Sequence, residues 1–195
     1  MVNTYLQIGD TMTLNRCTLT GALLGVALAA TAAPLKTDPA KSSVSAVFRQ
    51  MNVPVESTFK KFSAAIDYNA AQPELAKASV EIDTASLDLG DADMNKEVAK
   101  KEWFNSAQFP KATFVSSSIK PAGAGKLTVN GKLSIKGKSM DVSFPLAVKN
   151  EAGKQVFEGA LPIKRLAYAI GEGEWKDTSM VADEVVIKFR VTAGQ

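Results

Sequence analysis

No histidine occurs anywhere in the sequence, and its one cysteine, Cys17, lies near the N-terminus. Without imidazole there is no Ser-His-Asp triad, no ordinary base near neutral pH and no histidine metal ligand. With no thiol after Cys17, the body of the chain has no thiolate nucleophile, zinc–thiolate site or attached c-type haem. Excess charge is scarce too: a formal net charge of +3 is too mild to mark a nucleic-acid binder. The nucleophile elbow, the phosphate-cradling loop and the dinucleotide fingerprint are missing. "GAGKLTVNGK" (Gly123 to Lys132) has the wrong glycine spacing for a phosphate loop and reads as a turn leading into a strand. What chemistry remains is carboxylate pairs, Ser/Lys dyads or a calcium site. Of the carboxylates, Asp83, Asp88 and Asp91 are the candidates for a hydrolase, although Asp83 and Asp88 read as a wet strand face and a turn.

One long uncharged run is present. "CTLTGALLGVALAATAA" (Cys17 to Ala33) follows Asn15-Arg16, and Ala30-Thr31-Ala32 supplies the small-x-small pattern that a signal peptidase reads. A span needs roughly 20 apolar residues, and this run is shorter, rich in Ala, Thr and Gly, and followed at once by "PLKTDPAK". The expectation is a signal peptide over residues 1–32 and a single domain over residues 33–195, with translation starting at Met1 or at Met12. Cys17 opens the apolar run rather than following it, which argues against a lipoprotein cleavage site. Losing Asp10 and Arg16 together leaves the net charge unchanged.

From Ser43 onward the dominant signal is period-2 alternation broken by turn residues. "SVSAVFRQM", "FSAAIDY" and "ASVEIDTASLDL" are followed by "TFVSSSIK", "KLTVNGKLSIKG", "MDVSFPLAV", "VFEGALPIKR" and "EVVIKFRV". In the fifth of these, Leu127, Val129, Leu133 and Ile135 face one way and Lys132, Ser134 and Lys136 the other. Such alternation describes a sheet with one wet side. Pro145 predicts a bulge or an unpaired N–H in the sixth segment. About eight antiparallel strands point to a closed barrel or a sandwich, and a barrel of that size either fills with side chains or holds one small ligand.

Between the third and fourth of these segments, "DADMNKEVAKKE" (Asp91 to Glu102) nearly spells an EF-hand loop. Lys96 stands where that loop needs glycine, however, and a strand rather than a helix precedes it. The alternative is a short helix with Asp91 and Asp93 at its N-terminus, Lys100 and Lys101 at its C-terminus, and a Glu97–Lys101 pair. It leads to "EWFNSAQFP", whose Trp103, Phe104 and Phe109 could cap one end of a barrel.

The blocks "DPAKSSV", "VEIDTASLDLGD", "KKEWFNSAQFPKATFVS", "LSIKGKSMDV", "KRLAYAIGEG" and "ADEVVIKFRV" occur in an order that resembles the YceI-like family of exported lipid- and polyisoprenoid-binding proteins, over about Asp38 to Val191. The resemblance implies an all-β fold: an eight-stranded antiparallel lipocalin-like β-barrel with one short helix between the third and fourth strands. It also implies a non-enzymatic carrier or scavenger in the periplasm of a Gram-negative bacterium, with a polyisoprenoid, an isoprenoid quinone or a related fatty lipid as ligand and no separate cofactor. Many members carry histidine where this chain has Lys41 and near Gln50 and Val98, so polar or metal contacts made by those histidines do not transfer.

An apolar tube can hold such a chain without a catalytic constellation, since each buried CH₂ contributes roughly 0.8 kcal/mol. The candidate lipid-binding wall is Phe48, Phe62, Ile66, Val80, Ile82, Phe114, Leu133, Ile135, Phe144, Leu161, Ile187 and Phe189. Each of these reads equally as packed core, and a solidly packed stress or interaction protein is the competing function. Arg165 reads as a structural salt bridge or a head-group contact, and Trp175 as a plug at the barrel end or a ligand-stacking ring. Lys60-Lys61 and Lys136/Lys138 read as solvated faces or as a basic rim that could touch anionic lipid transiently.

Overall fold

The alternating segments fold into one antiparallel sheet in the structure, a computed structural model that describes residues 34–194. Its strands are β1 (Lys36–Thr37), β2 (Ser43–Gln50), β3 (Val53–Phe59), β4 (Phe62–Asp67), β5 (Lys77–Asp83) and β6 (Leu87–Asp88). After helix α1 (Ala92–Val98) come β7 (Lys111–Pro121), β8 (Lys126–Ile135), β9 (Lys138–Glu151), β10 (Lys154–Lys164) and β11 (Val181–Gly194). The ladder runs β4-β5-β7-β8-β9-β10-β11-β2-β3-β6, with β1 paired to the end of β11.

This corrects the expected eight-stranded closed barrel. Ten of the eleven strands form the continuous ladder of a curled half-barrel, which begins at β4 and ends at β6. Between β4 and β1 there is an isolated bridge, Leu35 to Ile66, and a hydrogen bond that Thr37 Oγ1 donates to the Ala64 carbonyl at 2.7 Å. Each of the eight expected segments contains a strand, but the third, "ASVEIDTASLDL", breaks after Asp83 into a 3-10 turn (Thr84–Ser86) and then β6. The additional β1 and β6 have two residues each, too few to show a period. The additional β3 carries Pro54 and a polar Glu56-Ser57-Thr58 run, and its Val53 is 61% exposed, so its alternation is blurred.

Three hairpins close with two-residue turns in which both residues have positive φ: Met51-Asn52, Lys136-Gly137 and Ala152-Gly153. That backbone hand matches the twist of the flanking strands. Pro145 stands in register opposite Thr128 on β8, and no bulge interrupts the β8–β9 ladder. The pairing of β9 with β10 runs from Glu151↔Lys154 to Leu146↔Gly159 and stops beside Pro145, as a residue without an N–H permits.

Helix α1 starts where Asp91 accepts the N–H groups of Asp93 and Met94, both at 2.9 Å. Its end corrects the sequence expectation: Lys100 and Lys101 lie beyond Val98, and Glu97 pairs with Lys100 instead of Lys101. Asp91 is thus a helix cap rather than the first residue of a cation loop.

The inward faces pack into three neighbouring apolar clusters. In the largest, Phe144 lies 5.5 Å from both Phe114 and Phe189, measured between ring centroids. Two of these rings rest on glycine. A β-carbon on Gly131 would fall 2.5 Å from the Phe114 ring, and one on Gly159 would fall 2.4 Å from that of Phe189.

Candidate functional site

Inside the curl the inward side chains leave two apolar chambers, of about 110 Å³ and 180 Å³. The strands show their relation. Along β8, Leu127 and Val129 line the first chamber, Leu133 lines both, and Ile135 lines the second. Along β11, in the opposite sense, Val181 and Val185 line the second, Ile187 both, and Phe189 and Val191 the first. The chambers therefore lie end to end along the strands, with Ile82, Leu133 and Ile187 as their common wall. At about 3.3 Å per residue, the stretch from Leu127 to Ile135 corresponds to roughly 26 Å of lined length.

Ile66, Val80, Phe114, Phe144, Leu161 and Phe189 line the first chamber, and Phe48 and Ile135 the second. With the three shared residues, this places every predicted wall residue but one. Phe62 lines neither chamber. It packs at the start of β4 against the cluster of Val44, Ala46, Phe59 and Leu87. Residues outside the predicted wall also line the chambers, among them Phe59, Phe104, Phe157 and Ile170. Phe157 stands beside Val156 in β10, two consecutive apolar residues that blur the alternation, and Ile170 follows the 3-10 turn Arg165–Tyr168 outside any strand. Trp103 and Phe104 do line the second chamber, while Phe109 lies under the β8–β9 turn, 2.9 Å from where a β-carbon on Gly137 would stand.

Polar groups gather at the second chamber. Arg165, 2% exposed, forms no salt bridge among the described residues, which corrects that expectation. Its guanidinium instead donates to five carbonyls: Nε to Ala182 at 3.1 Å, Nη1 to Ile170 at 2.9 Å and Gly171 at 3.2 Å, and Nη2 to Trp175 and Val181, both at 2.7 Å. All five N–H donors are used. Burial pulls the Arg165 pKa down, and the charge of Asp183 opposes that. The guanidinium carbon lies 5.8 Å from the centre of the Trp103 ring, which lies 5.3 Å from the ring of Trp175. Trp175 thus both lines the chamber and anchors Arg165 through its carbonyl.

Lys136 is also corrected. Its side chain is 7% exposed, and its Nζ donates to the Ala169 carbonyl at 2.6 Å and to Glu172 Oε2 at 3.0 Å. The hydrogen bond and charge of Lys136 hold the Glu172 carboxyl below its ordinary pKa. Lys60, Lys61 and Lys138 are exposed as expected. The Glu102 carbonyl accepts the N–H groups of Gly171 and Glu172, each at 2.8 Å, which ties the Trp103 segment to the loop below it. Among the described residues, no three His, Cys, Asp or Glu side chains are grouped to hold a metal ion.

The chain is a curled antiparallel sheet wrapped around an apolar interior. The model of the YceI-like domain matches residues 35–193, and the chain belongs to the YceI-like family. It is 31% identical to a UPF0312 protein of Shewanella baltica over 159 residues, covering 80% of this chain and 72% of that one. It resembles the crystal structure of Burkholderia cenocepacia BcnA at 54% identity and a TM-score of 0.79, over 81% of this chain and 99% of that chain. A polyisoprenoid-binding domain from Saccharophagus degradans, implicated in plant cell wall breakdown, shares the fold at 18% identity and a TM-score of 0.63, over 83% of this chain and 97% of that one.

Proposed function

We propose that this protein binds a polyisoprenoid, an isoprenoid quinone or a related fatty lipid in its paired chambers, as a non-enzymatic carrier or scavenger in the periplasm. The observation that carries this reading is the end-to-end placement of the two apolar chambers about Ile82, Leu133 and Ile187. Two apolar chambers in line suit a long chain-like ligand. Burying ten methylene equivalents gives about 8 kcal/mol before the costs of association, so tail contacts alone reach a useful affinity. A solidly packed interior, the competing function, fits these chambers poorly.

Export rests on the sequence of residues 1–32, which lie outside the described residues. Transient membrane contact is supported by an apolar tip beside the second chamber. Met51, Val53 and Met180 are 63%, 61% and 41% exposed, and the Met51 N–H donates to the Met180 carbonyl at 2.8 Å. Their neighbours Gln50 and Val181 line the chamber itself.

Native mass spectrometry of protein purified without detergent is expected to show a hydrophobic adduct that organic solvent releases. Repeated purification without an adduct, together with no binding of a prenyl quinone analogue, would overturn the proposal.

A further inference from the structure

Methionine is among the residue types most often buried, yet of those in residues 34–194 only Met140 packs inward, against the largest apolar cluster. Met51, Met94 and Met180 are exposed, Met94 at 50%, and they come from three separate elements: the β2–β3 turn, helix α1 and the segment entering β11. All three border the second chamber. Met94 lines it, Met51 follows the lining Gln50, and Met180 precedes the lining Val181, which pairs with Gln50 across β11 and β2. Leucine would give such a rim the same apolar surface. What methionine adds is a thioether sulfur that a two-electron oxidant converts into a polar sulfoxide, and that a sulfoxide reductase restores. No cysteine follows Cys17, so among residues 34–194 no thiol competes for the oxidant.

We propose that Met51, Met94 and Met180 are a modification site, an oxidisable rim whose state sets whether this end of the protein holds to a bilayer. The assignment rests on the membrane contact proposed above and adds its regulation. With hypochlorous acid as the oxidant, the sulfur lone pair takes the chlorine and releases hydroxide. Water then adds to the chlorosulfonium sulfur, chloride leaves, and two protons are lost, one of which neutralises the hydroxide. The sulfur has given up two electrons, the chlorine has gained them, and the sulfoxide oxygen comes from water. Exposure puts the three rim sulfurs ahead of Met140 in this reaction. Each sulfoxide then sets an acceptor oxygen where the bilayer's hydrocarbon would lie, and burying it without a partner is unfavourable. Val53, exposed on the same tip, is inert to the oxidant, so the contact weakens through the methionines alone.

The test treats the purified protein with increasing hypochlorous acid, maps oxygen uptake by peptide mass spectrometry and measures flotation with vesicles of phosphatidylethanolamine and phosphatidylglycerol. Two triple variants accompany it: M51L/M94L/M180L, which takes up no oxygen at the rim, and M51Q/M94Q/M180Q, which carries polar amides there from the start. Met51, Met94 and Met180 are expected to gain one oxygen each before Met140 gains any. Oxidised wild type and the Gln variant should bind vesicles at least about tenfold more weakly than reduced wild type. The Leu variant should bind as reduced wild type does, before and after oxidation, and methionine sulfoxide reductase should return oxidised wild type to the vesicles. Uptake by Met140 as fast as by the rim, or oxidised wild type that floats as well as reduced, overturns the switch and leaves the membrane contact standing. Loss of binding by the Leu variant on oxidation overturns the assignment to these methionines. Reduced wild type that never floats removes the membrane-contact reading itself.

Discussion

Replacing Arg165 with methionine keeps much of the side-chain volume and deletes all five donors. The carbonyls of Ile170, Gly171, Trp175, Val181 and Ala182 lose their guanidinium partner at once. A buried group left unpaired costs about 1–3 kcal/mol, and hydrogen bonds from a charged donor contribute about 1.5–3 kcal/mol each, though not additively. Removing a desolvated charge returns part of this, since burial already works against the charged form of Arg165. With two or three carbonyls failing to find water, the net loss is about 3–4 kcal/mol, or roughly 10 °C in melting temperature for a domain of this size. Urea unfolding followed by tryptophan fluorescence suits the measurement, because Trp103 and Trp175 both adjoin the guanidinium. Arg165→Lys, with three donors and no planar fork, should fall between the two. A loss below about 1 kcal/mol in Arg165→Met, with an unchanged denaturant slope, would refute the idea that this one side chain ties the loop together.

Gly171→Ala should destabilise by about 2–4 kcal/mol in the same assay, combining the left-handed backbone penalty with displacement of Arg165. Gly171 has φ +78, and its β-carbon would stand 2.1 Å from Arg165 Nη1. Leu133→Trp, at the common wall of the chambers, should reduce affinity for a long prenyl chain at least tenfold while a short-chain analogue binds as before; equal loss for both lengths would contradict an end-to-end path. Acidification should lower stability below the ordinary carboxylate range. Glu172, Asp38 and Glu158 are held down in the folded state chiefly by hydrogen bonds from Lys136, Lys154 and Lys149 respectively. Depressed carboxylates contribute stability above their unfolded pKa and lose it as pH falls through the folded one, so the melting temperature should drop there. With no histidine in the chain, no further step is expected near pH 6–7.

The readable parts of the fold were those whose physics is local. Strands β8, β9 and β11 alternate over long runs, and Asp91 caps α1 within three residues, so sequence spacing reports both. Strand β3 was hidden because Pro54 and three consecutive polar residues interrupt its pattern while its exposed Val53 offers no face. The wall residues were legible for the same reason as the strands: facing inward is a property of register. Phe62 shares that register, yet it lies at the strand's first position, where the neighbouring cluster rather than the cavity receives it. Lys136 was misread because its partners come from a distant loop, and Arg165 because its partners are main-chain carbonyls, which side-chain pattern does not reveal. Ala169 and Glu172 are 33 and 36 positions from Lys136, and the carbonyls around Arg165 converge only after the chain has folded back through the 170–182 segment.

The end of the ladder beside Pro145 has a consequence for how copies of this protein meet one another. Past Leu146 and Gly159, β9 and β10 share no further rung among the described residues, so each has an edge to which a foreign strand could add. Pro145 stands at the edge of β9 and Pro162 along that of β10, both exposed, and each withholds an N–H that such a strand would use. Lys138 and Lys164, also exposed, place like charge near the ends of the same two edges. A sheet that opens to surround its apolar chambers thus carries its own protection against edge-to-edge aggregation.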